Sequence, residues 1–113
     1  MTIHDLPALL EKHRRSGEPW TEFFRVPAMS LGLYVLRAGE DDLQTPHAED
    51  EIYYVLRGRG RIGVGEEDRE VGPGALIFVR ARDRHRFHSV TEELALLVLF
   101  SPAEDVEAAK RLV

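Results

Sequence analysis

The sequence predicts an all-β fold: a sandwich or barrel of antiparallel strands with one short helix at each end. Two observations carry this. Between about residues 21 and 100 the chain is a series of short apolar or alternating runs, TEFFRV, MSLGLYVL, EIYYVL, RIGVG, REV, ALIFV, HRFHSV and LALLVLF. Turn formers separate them, at Pro27 and in residues 39–42, 58–60, 65–68 and 72–74. Many short strands spaced by turns are the mark of a sandwich or barrel. No helix-length pattern interrupts the series, so the strands pair antiparallel.

The ends read differently. Residues 5–15 suit a helix, with Asp5 as cap, Pro7 in its first turn and Gly17 just past its end. Leu6, Leu9, Leu10 and His13 share one face and would dock on the strands. Residues 102–112 read as a closing helix: Ser101 caps, Pro102 takes the first position and Glu104 completes a capping box. A chain of 113 residues makes one domain (1–113), with the barrel over about 21–100.

Composition narrows the function. Twenty acidic residues against 15 basic ones give a net charge of -5. That is not the clustered basic footprint of a nucleic-acid binder. With no cysteine there is no disulfide, thiolate nucleophile or thiolate metal ligand. The segment MTIHDLPALLEKHRR carries charges where a signal peptide needs an apolar core, and no apolar run is long enough to span a bilayer. The expectation is a cytoplasmic protein that acts on neither membrane nor nucleic acid. GRGRIGVG lacks the strand–turn–helix setting of a phosphate cradle, which argues against nucleotide binding.

Three of the five histidines, His47, His85 and His88, lie among the strands. His47 and Glu51 are of equal parity directly before an apolar strand, so in extended chain they share a face with Glu49 and Tyr53. A carboxylate facing an apolar interior costs several kcal/mol unless it is paired or holds a cation. His85 shares parity with apolar Phe87, which turns His85 inward and His88 outward. If strands 51–56 and 85–90 face each other, two imidazoles and one carboxylate converge. Such a set suits a divalent transition metal with open positions. Arg80, Arg82, Arg84 and Arg86 alternate along the approach to His85 and read as exposed charges paired with acids, or as an anion-attracting rim. Trp20, Phe23 and Phe24 form an apolar cluster that packs the N-terminal segment or a subunit interface.

Residues 39–58, GEDDLQTPHAEDEIYYVLRG, resemble the first cupin motif, G-x5-H-x-H-x3–4-E-x6-G, with Gly39, His47, Glu51 and Gly58 in place. From Gly74, GALIFVRARDRHRFHS resembles the second, G-x5-P-x-G-x2-H-x3-N, with Gly74 and His85 in place. The resemblance spans about residues 29–100. It departs at Thr45, where the family has its first histidine, and at Arg80, Arg82 and Ser89, where it has proline, glycine and asparagine. It implies a double-sheet jelly-roll barrel, frequently a homodimer, and a metal site reduced to His47, Glu51 and His85. Water, Glu49 or Gln44 would stand where the missing histidine was.

The resemblance also implies one divalent ion, from among iron, manganese, zinc, nickel and copper. It points to a mononuclear metalloenzyme of dioxygenase, isomerase or lyase type acting on a small polar molecule. The alternative is a small-molecule-binding or sensing cupin that needs no metal. The sequence assigns no catalytic residue beyond the three ligands.

Overall fold

The computed structural model describes residues 1–42 and 46–105. Its architecture is the all-β antiparallel fold that the sequence predicts. Helix α1 (Leu6–Ser16) is followed by β1 (Trp20–Val26), β2 (Met29–Leu36), β3 (Asp50–Val64), β4 (Glu67–Val71), β5 (Leu76–Val79) and β6 (His85–Ser101). The strands hydrogen-bond in the order β1-β2-β6-β3-β4, with β5 also paired to β3, and every pairing is antiparallel. No helix among the described residues is long and apolar enough to cross a membrane.

Two pairs of expected strands are fused. EIYYVL and RIGVG become β3, and HRFHSV and LALLVLF become β6. Gly58 and Gly60, read from the sequence as a hairpin turn, lie instead inside β3, where the β3–β6 register slips between Val55 and Arg61. Register slips of this kind, bulges among them, bend a strand. Gly58 sits at φ +92°, and a Cβ there would lie 2.1 Å from the Glu93 carbonyl oxygen, so no other residue fits without moving backbone. The same bend exchanges the faces of β3: Glu51, Tyr53 and Val55 point inward before it, Gly58, Gly60 and Ile62 after it. In β6 the exchange falls at Ser89, φ +49°, so that His85 and Phe87 precede Val90, Leu94, Leu96, Val98 and Phe100 on the inner face.

The core fills the space between the two folded halves, with Leu36, Tyr53, Val55, Phe87, Leu94 and Leu96 among its members. Tyr53, Val55, Phe87, Leu94 and Leu96 are fully buried. Trp20, Phe23 and Phe24 part company. The Trp20 indole lies across Gly32, whose Cβ would come within 2.2 Å of it, and meets Phe100 edge-on at a ring separation of 6.0 Å. Phe23 and Phe24 stay with the N-terminal segment and hold the His4 ring at 5.1 and 5.9 Å.

Helix α1 forms where expected, but the Asp5 side chain makes no capping bond; Gly17, in the left-handed conformation, ends the helix. His13 is buried and its Nδ1 meets the Thr21 hydroxyl at 2.8 Å, which fixes the helix against β1. The closing helix is corrected. β6 runs on through Ser101, and Pro102 to Asp105 are not helical. The Ser101 hydroxyl donates to the Ala28 carbonyl instead of capping a helix, and the Glu104 amide donates to the Ser30 hydroxyl. Tertiary partners on the β1–β2 hairpin take the groups that a helix start would have used. The remainder of that expected helix, residues 106–113, lies outside the described residues.

Candidate metal centre

β3 opens with Glu51 and β6 opens with His85, and the fold brings both to one end of the barrel interior. His47 approaches from the segment leading into β3, where its carbonyl accepts the Arg82 amide at 2.6 Å. One donor atom from each of His47, Glu51 and His85 lies within 4.8 Å of the others. Ligands 2.0–2.2 Å from one ion stand roughly 3 to 3.5 Å apart, so small side-chain shifts close the set. The three residues singled out in the sequence are therefore brought together.

The chemistry of the set fits a cation. Glu51 is 1% exposed, and neither of its oxygens accepts a hydrogen bond of sound geometry from the described residues. Its contact is with His85 Nε2, 3.1 Å from Oε1. His85 Nδ1 lies 2.9 Å from the Asp83 carbonyl oxygen. A carbonyl only accepts, so Nδ1 carries the proton and donates it. A neutral His85 then turns the Nε2 lone pair toward a carboxylate. Two electron-rich groups face each other in a buried space, an arrangement that a proton or a metal ion between them resolves. A histidine whose second nitrogen donates to a backbone carbonyl is also the usual support of a metal-bound imidazole. The Tyr53 hydroxyl, fully buried, reaches the same Nε2 at 3.1 Å.

The electrostatics separate the two imidazoles. Burial pushes His47 down, partly opposed by the Glu51 charge. Burial acts on His85 in the same direction, but contact with Glu51 and the bond to Asp83 outweigh it and the net shift is upward. His47 is thus held neutral, the form that binds a metal.

Two residues that the sequence did not single out for this site, Asp42 and Glu104, lie beside it. The Asp42 carboxylate accepts from the Tyr34 hydroxyl and from the Phe87 amide, both at 2.8 Å, and so ties β2 to the start of β6 beside His85. Glu104 places Oε2 3.5 Å from His47 Nδ1. Burial, with Glu49 and Glu51 nearby, pushes its carboxyl up to about 7. The only sequence sign of Glu104 was the capping pattern that proved misleading. Glu49 is buried and is not one of the grouped donors; burial raises its carboxyl while the Asp105 backbone holds it. Gln44 and Thr45 lie outside the described residues.

His88 does point outward, with Nε2 2.5 Å from Asp68 and Nδ1 3.0 Å from the Ser89 hydroxyl. The arginine series is exposed at Arg80, Arg82, Arg84 and Arg86; Arg80 pairs with Asp83. Arg82 stands in the left-handed conformation, φ +69°, at the position where the second motif has glycine.

Known proteins share this fold. An uncharacterized protein of Streptomyces coelicolor, SCO3923, is 45% identical over 96 residues, 84% of this chain and 91% of its own. The crystal structure of TT1209 from Thermus thermophilus superposes with a TM-score of 0.72 and 29% identity, over 91% of this chain and 99% of that one. DMSP lyase DddQ from Ruegeria pomeroyi shares the fold at a TM-score of 0.64 and 24% identity; the match takes in 73% of this chain but 41% of the lyase. The model of the cupin domain matches residues 32–101, which carry Glu51, His85 and every strand from most of β2 to the end of β6, and the chain belongs to that family.

Proposed function

We propose that His47, Glu51 and His85 hold one divalent transition-metal ion and that the barrel binds a small polar molecule beside it. The observation that carries this is the Glu51 carboxylate, buried with no hydrogen-bond donor of sound geometry among the described residues and faced at 3.1 Å by His85 Nε2, the ring nitrogen opposite the one that meets the Asp83 carbonyl. When bound, the ion supplies Lewis-acid polarisation of a substrate oxygen. The chain's own groups do the rest. Asp83 fixes the tautomer of His85, Tyr53 offers a hydroxyl at its Nε2, and Phe100 packs edge-on against His47 at 5.0 Å. Tyr53 is the polar group closest in kind to one that would orient a ligand oxygen. Dioxygenase, isomerase and lyase reactions are the classes to assay, the last because a relative named as a lyase shares the fold.

The test is elemental analysis of protein purified without chelator or histidine tag, beside His47→Ala and Glu51→Ala. About one transition-metal ion per chain, lost in both variants, supports the site. An absence of metal in the wild type, even after each ion is supplied, overturns it in favour of a metal-free ligand-binding cupin.

We also propose that two copies of the chain associate. On the outer face, Phe78, Ile52 and Leu99 lie side by side across β5, β3 and β6, and Leu76, Tyr54 and Leu97 form a second row. Leu76 is 70% and Phe78 59% exposed. β6 is apolar on both faces along LALLVLF, a pattern expected of a strand covered on both sides. A second copy of this face would supply the missing cover.

A further inference from the structure

We propose that Glu104 is a positioning residue of this centre: its carboxylate accepts the Nδ1–H of His47 and so turns Nε2 toward the ion. The inference rests on the metal reading above and extends it to a segment that the family match, ending at residue 101, does not include.

Residues 101–105 form a strap laid against the β1–β2 hairpin. The Ser101 hydroxyl donates to the Ala28 carbonyl at 3.1 Å, and the Ala103 amide to the Pro27 carbonyl at 3.3 Å. The Glu104 amide donates to the Ser30 hydroxyl at 2.9 Å. Arg25 Nη2 donates to the Glu104 carbonyl at 2.5 Å. Both backbone polar groups of Glu104 are therefore engaged, and the direction of its side chain is set by the strap. That direction is inward: the side chain is 10% exposed, and Oε2 lies 3.5 Å from Nδ1 of a His47 whose side chain is 12% exposed. The separation is about 0.3 Å beyond the usual N–H···O range, within reach of a small rotation.

The two imidazoles then obey one rule. His85 gives Nδ1–H to the Asp83 carbonyl, and His47 gives Nδ1–H to Glu104. Each ring is left with a lone pair on Nε2. A carboxylate behind a metal-bound imidazole fixes the tautomer and raises its basicity, and removing such a partner weakens metal binding about 10- to 100-fold. Phe100, edge-on to His47 and immediately before the strap, limits the tilt of the ring.

Histidine nitrogen NMR tests the assignment with and without metal. In wild-type protein freed of metal, His47 is expected as the Nδ1–H tautomer. Zinc titration should shift its Nε2 and leave the Nδ1–H in place. Glu104→Ala should lose the fixed tautomer and bind zinc about 10- to 100-fold more weakly, while Glu104→Gln, whose amide oxygen still accepts from Nδ1–H, recovers much of both. Should the alanine variant fail to fold, the tautomer in the glutamine variant and its binding carry the comparison. A wild-type tautomer and zinc affinity in the alanine variant would overturn the role of Glu104. Wild-type protein that binds no metal would overturn the metal reading alone, because the tautomer of His47 in wild type and variants still decides whether Glu104 orients it.

Discussion

Glu51 and His85 meet from opposite ends of one ladder. Along the β3–β6 pairing Glu51 stands across from Phe100 and His85 across from Val64, yet Glu51 Oε1 and His85 Nε2 are 3.1 Å apart. The ladder has to fold back on itself for this to happen, and the fold is made where the register slips around Gly58. Glycine there is a requirement of the site as much as of the strand. Gly58→Ala sets a Cβ against the Glu93 carbonyl and a left-handed φ together. A loss of at least about 2 kcal/mol is expected from urea unfolding, with metal binding weakened in whatever fraction stays folded.

Metal should stabilise the folded chain. An ion supplied at roughly a hundred times its dissociation constant adds about 2.7 kcal/mol. For a chain of this size that raises Tm by roughly 10 °C. Differential scanning calorimetry should show the increment in wild type and not in Glu51→Gln or His85→Ala. An equal rise in all three would mean that the ion binds elsewhere.

His13 gives a pH dependence remote from that centre. Burial depresses its pKa below the ordinary histidine value of 6.5. Below that value the unfolded chain binds a proton that the folded chain refuses, so the unfolded state holds more protons and stability falls as the pH drops. His13→Gln removes the proton site and should flatten that slope between about pH 7 and 5 in denaturant titrations. An unchanged slope would assign the acid sensitivity to other groups.

Arg82 occupies a left-handed backbone position without the freedom of glycine. Arg82→Gly should stabilise the protein by about 1 kcal/mol through relief of that strain, less the entropy that glycine regains when unfolded. The measurement is equilibrium urea unfolding, and a loss of stability would show that the guanidinium holds something the backbone does not reveal.

The outer face should be sensitive to charge. Phe78→Lys or Leu76→Glu, both at exposed positions, are expected to shift sedimentation-equilibrium mass from two chains to one while leaving the circular dichroism spectrum intact. A wild-type chain that sediments as a monomer at high concentration would overturn the pairing.

The site residues were legible because two periodicities agree with one motif. Glu51 and Tyr53 alternate inward as a strand dictates, and His85 follows the parity of Phe87. What the sequence concealed were the parity changes. A bulge is a backbone event, and Ser89 or Arg82 can adopt positive φ although neither residue type announces it; the only clue was that the family pattern has asparagine and glycine there. Gly58 and Gly60 announced a special conformation, but a bend inside a strand and a turn between strands ask for the same residue. Asp42 and Glu104 were invisible for a different reason. Each works through partners far along the chain, Phe87 and His47, and only the closed barrel sets them side by side. The Ser101–Glu104 signature of a helix start was real as a pattern and overruled by hydrogen bonds to Ala28 and Ser30.

Trp20 is the only tryptophan in the chain, and two ring contacts join it to the centre: 6.0 Å to Phe100, then 5.0 Å from Phe100 to His47. The barrel therefore holds its single strong fluorophore next-but-one to a candidate ligand. A paramagnetic ion such as copper(II) or nickel(II) seated on His47 lies close enough to drain its emission, whereas zinc does not. For ions that quench, the dimming of one indole, titrated ion by ion, would report whether each enters the barrel and how tightly it is held.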